Sequence, residues 1–447
     1  MEKIINRPEA DPRERLEALR EYVRKGPPQI RKTEEVNNHI HTIYSFSPYT
    51  PSMAALQAWR AGLSAAGSVD HDSIAGAEEL LAACGDLGLG GCTGFEVRVS
   101  FKTDAEGRPG PFRDRKINNP DSLGLAYMTV QGVPKPARAE IQAFLAPLRA
   151  ARLERTRQMT DSANVLLAEA GLEELDFSRD VMALSQYSSG GGITERHLLS
   201  AAAGRLIRKY GKGPGLTEGL KSKFQVKVSG RAEKNLGDPG NIHYLFDLLG
   251  VLKADFLPRI FIQPGETECL PAKAVTDFAN RLGGVPCYAY LGDVEESPTG
   301  DKKAERFEDA YLEELFGALL SLGYRGVTYM PPRNTPEQIR RVQGLCAEAG
   351  LMEISGVDIN SSRQSFNCPE VLAPECRHLT DTTWALIAHE RLASADPALG
   401  LFSLENPRAG GSLGDRLRVY SVLGRALDPR RAEESAEKSA KKLREGL

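Results

Sequence analysis

Between Val36 and Val97 short apolar runs alternate with stretches of helical period. Val36–His41, Gly67–Val69 and Gly90–Glu96 read as strands, with Ser52–Ala61 and Ala75–Cys84 as the helices between them. Such alternation predicts parallel strands joined by right-handed crossovers. The rhythm returns late in the chain, with helices over Ala272–Leu282, Ala304–Leu320 and Thr335–Ala349 and strands over Val285–Leu291, Gly326–Tyr329 and Met352–Val357. In between, residues 101–131 read as a loop-rich piece that ends in the apolar stretch Leu123–Val130. Residues 135–254 then lose strand character: Ile141, Phe144, Leu145, Leu148, Ala151 and Leu153 recur at helical spacing within Ala137–Ala168. The glycine-rich Tyr210–Gly215 and the polar run Lys221–Gly240 read as surface segments. At the N-terminus Asp11 and Pro12 open a capped helix that runs to Arg24. At the other end Asp381–His389 and Leu413–Leu427 read as helices, followed by the mixed-charge run Arg430–Arg444 as a solvated one.

Length turns this pattern into an expectation about organisation, because 447 residues exceed what one core usually serves, roughly 250–300. The expected units are an N-terminal helical extension (1–35), two barrel segments (36–134 and 255–395) around an inserted helical subdomain (135–254), and a C-terminal helical tail (396–447). Composition adds little: 41% hydrophobic and 26% charged residues with a net charge of −3 describe an ordinary soluble chain without a field that recruits nucleic acid or anionic membrane. No apolar run approaches the roughly 20 residues that cross a bilayer, and the first residues lack a signal-peptide core. The expected location is cytoplasmic. Seven cysteines without a Cys-x-x-Cys pair argue against a disulfide framework or a zinc ribbon, and none is assigned chemistry.

Candidate chemistry concentrates at the ends of the first three strands: Asn38-His39-Ile40-His41-Thr42, Val69-Asp70-His71-Asp72-Ser73 and Gly94-Phe95-Glu96-Val97, which hold three of the seven histidines. Alternate residues of a strand share a face, so His39 and His41 can close on one metal ion. Strand C-terminal ends are where α/β barrels and open α/β sheets place their sites.

These motifs resemble those of the PHP (polymerase and histidinol phosphatase) family, in particular its small phosphoesterases acting on nucleotides and short RNA 5′ ends. His39-Ile-His41-Thr resembles the opening His-x-His, Val69-Asp-His-Asp-Ser-Ile-Ala-Gly76 the Asp-His-Asp motif, and Gly94-Phe-Glu96 the Gly-x-Glu. Ile193-Thr-Glu-Arg196-His197 is similar to the Thr-Arg-x-His segment of the inserted helices, Gly283 to Tyr290 to the Gly-Gly…Ala-His-Pro stretch, and Ser355-Gly-Val-Asp358-Ile-Asn360 to the closing signature. The resemblance implies a distorted (β/α)7-type TIM-like barrel with an inserted helical subdomain and helical extensions at both ends.

Departures sort by metal site. Phe46, the neighbourhood of Gly124, Tyr290 and Asn360 stand where family ligands are usual. The resemblance implies that the first-metal set, His39, His41, Glu96 and Asp358, is whole, whereas the second keeps only Glu96 and the third only His71. One divalent ion (Zn, Fe or Mn) is therefore expected, activating a single water. Asp70 with His71 can form a proton-transfer pair or a strut, and His197 can reach a leaving group or simply sit in the first turn of a helix. Arg196 and Arg363 are candidate substrate cations, with surface ion pairing as the alternative for each, and Tyr290 and Asn360 are candidate pocket lining. The leading expectation is a phosphoesterase acting on a small phosphorylated molecule. A hydrolase or lyase on a non-phosphate substrate and a non-catalytic, metal-stabilised binding protein stand beside it, and a nucleic-acid partner is not expected.

Overall fold

A computed structural model describes residues 1–26, 28–228, 230–294 and 306–445. Seven strands form one sheet in chain order: β1 (Val36–Ile40), β2 (Ala65–His71), β3 (Gly90–Ser100), β4 (Leu125–Gln131), β5 (Val285–Ala289), β6 (Gly326–Tyr329) and β7 (Met352–Ser355). β1–β2–β3 and β5–β6–β7 pair in parallel, while β4 runs antiparallel to both β3 and β5. The segment after β7 returns to β1, with His41 N donating to Ile359 O at 2.9 Å and Ile359 N to His39 O at 3.0 Å. The sheet thus nearly closes into a TIM-like α/β barrel, as the resemblance implies.

β4 corrects the sequence reading, which left Leu123–Val130 within a loop-rich piece. Ala126, Met128 and Val130 face the core and alternate with Tyr127, Thr129 and Gln131, a period of two bounded by Gly124 and Gly132, both at positive φ. Only seven residues carry this signal, too few to separate a strand from an apolar loop by pattern alone.

Helices α1 (Glu2–Ile5) and α2 (Pro12–Arg24) precede the barrel, and Asp11 caps α2 by accepting from Arg13 N at 2.7 Å. α3 (Pro51–Arg60) and α4 (Ala77–Leu87) are the first crossovers. After β4 come the 32-residue α5 (Arg138–Glu169), then α6 (Glu195–Tyr210), α7 (Pro214–Lys223), α8 (Gly230–Gly237) and α9 (Tyr244–Asp255). Much of the run Lys221–Gly240 is therefore helical, with Lys221 on α7 paired to Glu233 on α8 at 2.7 Å. These helices share an apolar core that extends from Met159 to Ile260. α10 (Ala272–Arg281), α11 (Leu312–Leu322) and α12 (Pro336–Ala349) complete the crossovers. The expected start of the helix before β6, residues 304–305, lies outside the described residues.

α13 (His378–Ala395), α14 (Leu413–Arg425) and α15 (Ala432–Arg444) close the opposite end of the barrel. Leu386, Ile387 and Leu392 of α13 pack against Val36, Ala65, Cys92, Val285 and Met352, residues at or near the starts of five strands. His389 uses both ring nitrogens there, toward Gly283 O at 2.8 Å and Leu401 N at 2.9 Å, and burial pushes its pKa down to about 4. The strand C-terminal ends are left as the open mouth. All seven cysteines are buried, and no helix among the described residues is long and apolar enough to cross a membrane.

Candidate metal centre

β1 changes register between Asn37 and Ile40, the kind of irregularity that re-aims side chains near functional sites. His39 and His41 leave it with ring centroids 5.2 Å apart, and His71 at the end of β2 stacks on His41 at 4.7 Å. Glu96 on β3 faces all three: its carboxylate oxygens lie 3.8 Å from His39 Nε2, 3.6 Å from His41 Nε2 and 3.0 Å from His71 Nδ1. The β1–β7 closure brings in Asp358, whose Oδ1 is 3.4 Å from His41 Nε2. His39, His41 and Glu96 are buried, whereas the side chains of His71 and Asp358 keep 25% and 36% exposure, so the cluster opens to solvent on their side.

These separations fit a cation better than hydrogen bonds. A contact of 3.6 Å is too long for a hydrogen bond, but two ligands each about 2.1 Å from one ion stand about 3–4 Å apart. Donor atoms of His39, His41 and Asp358 lie within 4.8 Å of one another, as do those of His41, His71 and Glu96. His71 Nδ1 is buried beside Glu96 yet makes no aligned hydrogen bond, an orphaned lone-pair site of the kind a metal satisfies. Imidazoles with carboxylates are the donor set of Zn, Fe and Mn. The four residues implied by the resemblance, His39, His41, Glu96 and Asp358, are thus divided between two overlapping groups that share His41, and His71 belongs to the second.

Other candidates fall elsewhere. Asp70 is not paired with His71; neighbours on a strand point to opposite faces. Its carboxylate accepts from Thr42 N and Thr42 Oγ1 at 2.6 Å each and from Ser45 Oγ at 2.7 Å, while Ser45 Oγ lies 3.3 Å from His41 Nδ1. Asp70 is a strut that orients His41 through Ser45, and burial holds its carboxyl above the usual range against the His41 charge and these hydrogen bonds. For His197 the structure shows the alternative role: Nδ1 accepts from Thr194 N at 2.9 Å in a capping box, the ring edge meets Phe46 at 5.0 Å, and burial lowers its pKa to about 4. Tyr290 lies in the barrel core with its hydroxyl donating to Asp309 at 2.6 Å. Arg363 forms a two-pronged pair with Asp247 on α9.

Arg196 and Asn360 do belong to the mouth. Asn360 Nδ2 donates to Asp358 Oδ1 at 2.7 Å, and its own carbonyl accepts from Arg196 Nη1 at 3.1 Å. Burial first, then the charges of His41, Arg152, Arg98 and Arg196, hold His71 well below the ordinary histidine range. His39 is held above it: burial lowers it, but the charges of Glu96 and Asp358 outweigh that burial. Asn360 therefore fixes the Asp358 oxygen that faces His41, and Asn360→Ala is expected to weaken metal affinity about 10-fold or more, read by competition with a chelating dye. Unchanged affinity would show that Asp358 needs no such partner.

A buried ion network, unseen in the sequence, borders the cluster. Arg98 and Arg155 donate to Glu195 Oε1 at 2.7 Å each, Arg155 and Arg152 reach Glu268 at 2.6 and 3.0 Å, and Arg152 Nη1 meets Asp72 at 2.6 Å. Asp72 adopts φ 52°, a left-handed conformation that Asp tolerates better than most residues, and this places its carboxylate in the network directly after His71.

Comparison with known proteins adds two distant likenesses. No protein-family model and no curated protein matches the chain. Among solved structures, a proposed metal-dependent phosphoesterase from Bifidobacterium adolescentis is 19% identical with a TM-score of 0.46, over 78% of this chain and 97% of its own. An amidohydrolase from Chromobacterium violaceum, solved with sulfate and without metal, is 18% identical with a TM-score of 0.45, over 74% of this chain and 89% of its own. At these values neither likeness assigns the chain a family or an activity.

Proposed function

We propose that this protein is a metal-dependent hydrolase of the PHP type, acting on the phosphate ester of a small molecule. One divalent ion, Zn, Fe or Mn, is held by His39, His41, Glu96 and Asp358, with His71 at its open side. The single observation that carries this reading is the convergence of three imidazoles and two carboxylates at separations suited to shared ligation. An ion bound there would supply a water of lowered pKa and polarise a substrate oxygen. Around it, Asp70 and Ser45 fix the tautomer and orientation of His41, and Asn360 fixes Asp358. Arg196, whose charge reaches His71, supports the phosphate assignment as a cation at the mouth.

The test is turnover of a panel of phosphate monoesters and diesters, carboxylic esters and amides by protein loaded with Mn, Fe or Zn. Metal-dependent release of phosphate is the expected result. Inert phosphate esters with other esters or amides consumed would move the assignment to a non-phosphate hydrolase or lyase. No substrate consumed, with chelation lowering thermal stability, would make the chain a metal-stabilised binding protein.

A further inference from the structure

We infer that Tyr127 is a substrate-binding residue of this site, its hydroxyl donating a hydrogen bond to a phosphoryl oxygen bound beside His71; the inference rests on the metal-hydrolase reading. In the β3–β4 ladder Glu96 lies opposite Thr129 and Arg98 opposite Tyr127, so Tyr127 stands on the metal-cluster face one step along from Glu96. Its ring centroid is 5.7 Å from that of His71. Thr129 and Arg98 are buried, whereas Tyr127 as a residue is half-buried.

Tyr127 is held by three hydrogen bonds with two residues. Asn118 grips its peptide, donating from Nδ2 to Tyr127 O at 2.8 Å and accepting from Tyr127 N at 2.7 Å. Arg98 Nε donates to the phenolic oxygen at 3.1 Å, and Arg98 is itself fixed by Glu195 at 2.7 Å. A phenol has one proton to give. With Arg98 on one side of the oxygen, that proton lies on the other, and among the described residues it has no acceptor. A phenol is protonated at neutral pH, so the hydroxyl is a donor and not a base. The backbone clamp fixes where the ring starts, and the Arg98 contact fixes which way the hydroxyl faces.

The probe is inorganic phosphate titrated calorimetrically into the Mn-loaded full chain, wild type against Tyr127→Phe, with metal content measured on both. The expected result is phosphate affinity about 10-fold or more weaker in Tyr127→Phe at unchanged metal content, the size of a hydrogen bond to a charged acceptor. Equal affinity in the two proteins overturns the inference and leaves the metal reading intact, as does metal-loaded wild type that binds no phosphate. Wild type that takes up no metal overturns the metal reading and the inference with it. Should Tyr127→Phe fail to fold, a near-ultraviolet difference spectrum of loaded wild type answers the same question. A red-shifted tyrosine band on adding phosphate supports the contact, and a flat spectrum contradicts it.

Discussion

Glu96→Ala is expected to strip the site of metal and to reduce turnover by about 10^3-fold or more, the several kcal/mol that a bound cation contributes to a charged transition state. Glu96 approaches all three imidazoles, at 3.8 Å from His39, 3.6 Å from His41 and 3.0 Å from His71. Its removal leaves Asp358, more than a third exposed, as the remaining carboxylate of the cluster. Circular dichroism should be unchanged, since β3 keeps its ladder on both sides through backbone hydrogen bonds that do not involve the carboxylate. Glu96→Gln separates charge from shape: the amide preserves the volume but not the anion, and should lose most of the metal affinity too. Full turnover and full metal content in Glu96→Ala would remove the basis for placing the chemistry here.

The largest loss of stability is expected from Glu268→Ala, about 3–5 kcal/mol, the cost of breaking a buried charge network from one side. Glu268 is 3% exposed and accepts from Arg155 at 2.6 and 2.8 Å and from Arg152 at 3.0 Å. With Arg98, Arg152 and Arg155 opposite Glu195, Glu268 and Asp72, the six charges balance; without Glu268, three buried guanidinium groups face two carboxylates. The effect should also reach the site, because Arg152 holds Asp72 next to His71, and Arg98 holds the hydroxyl of Tyr127. Urea denaturation of wild type and variant measures the first effect. A change below about 1 kcal/mol, the value of an exposed pair, would mean that the network carries little of the fold.

The sequence revealed the histidine–carboxylate cluster in unequal parts. His39 and His41 were legible from strand alternation, a purely local rule, and the structure places both where that rule puts them. Asp358, more than 300 residues away, had no local signal and came in only through the likeness of its motif, because the β1–β7 closure that delivers it is a tertiary event. Asp70 and His71 looked like partners because they are adjacent, yet adjacency on a strand separates side chains. The arginine network was invisible for a different reason: Asp72, Arg98, Arg152, Arg155, Glu195 and Glu268 are scattered over nearly 200 residues, and each alone resembles a surface charge. Arg152 and Arg155 even fit a solvated helix face until their pairing with Asp72, Glu195 and Glu268 is seen. Tyr127 went unread because its strand did.

The central claim is that these side chains form a metal centre, and metal content settles it most directly. Purified full-length protein, incubated with Mn, Fe or Zn and freed of loose ions, should retain about one ion per chain by mass spectrometry, and Asp358→Ala should retain almost none. Retention of no ion by wild type under every loading condition, or equal retention by Asp358→Ala, would contradict it.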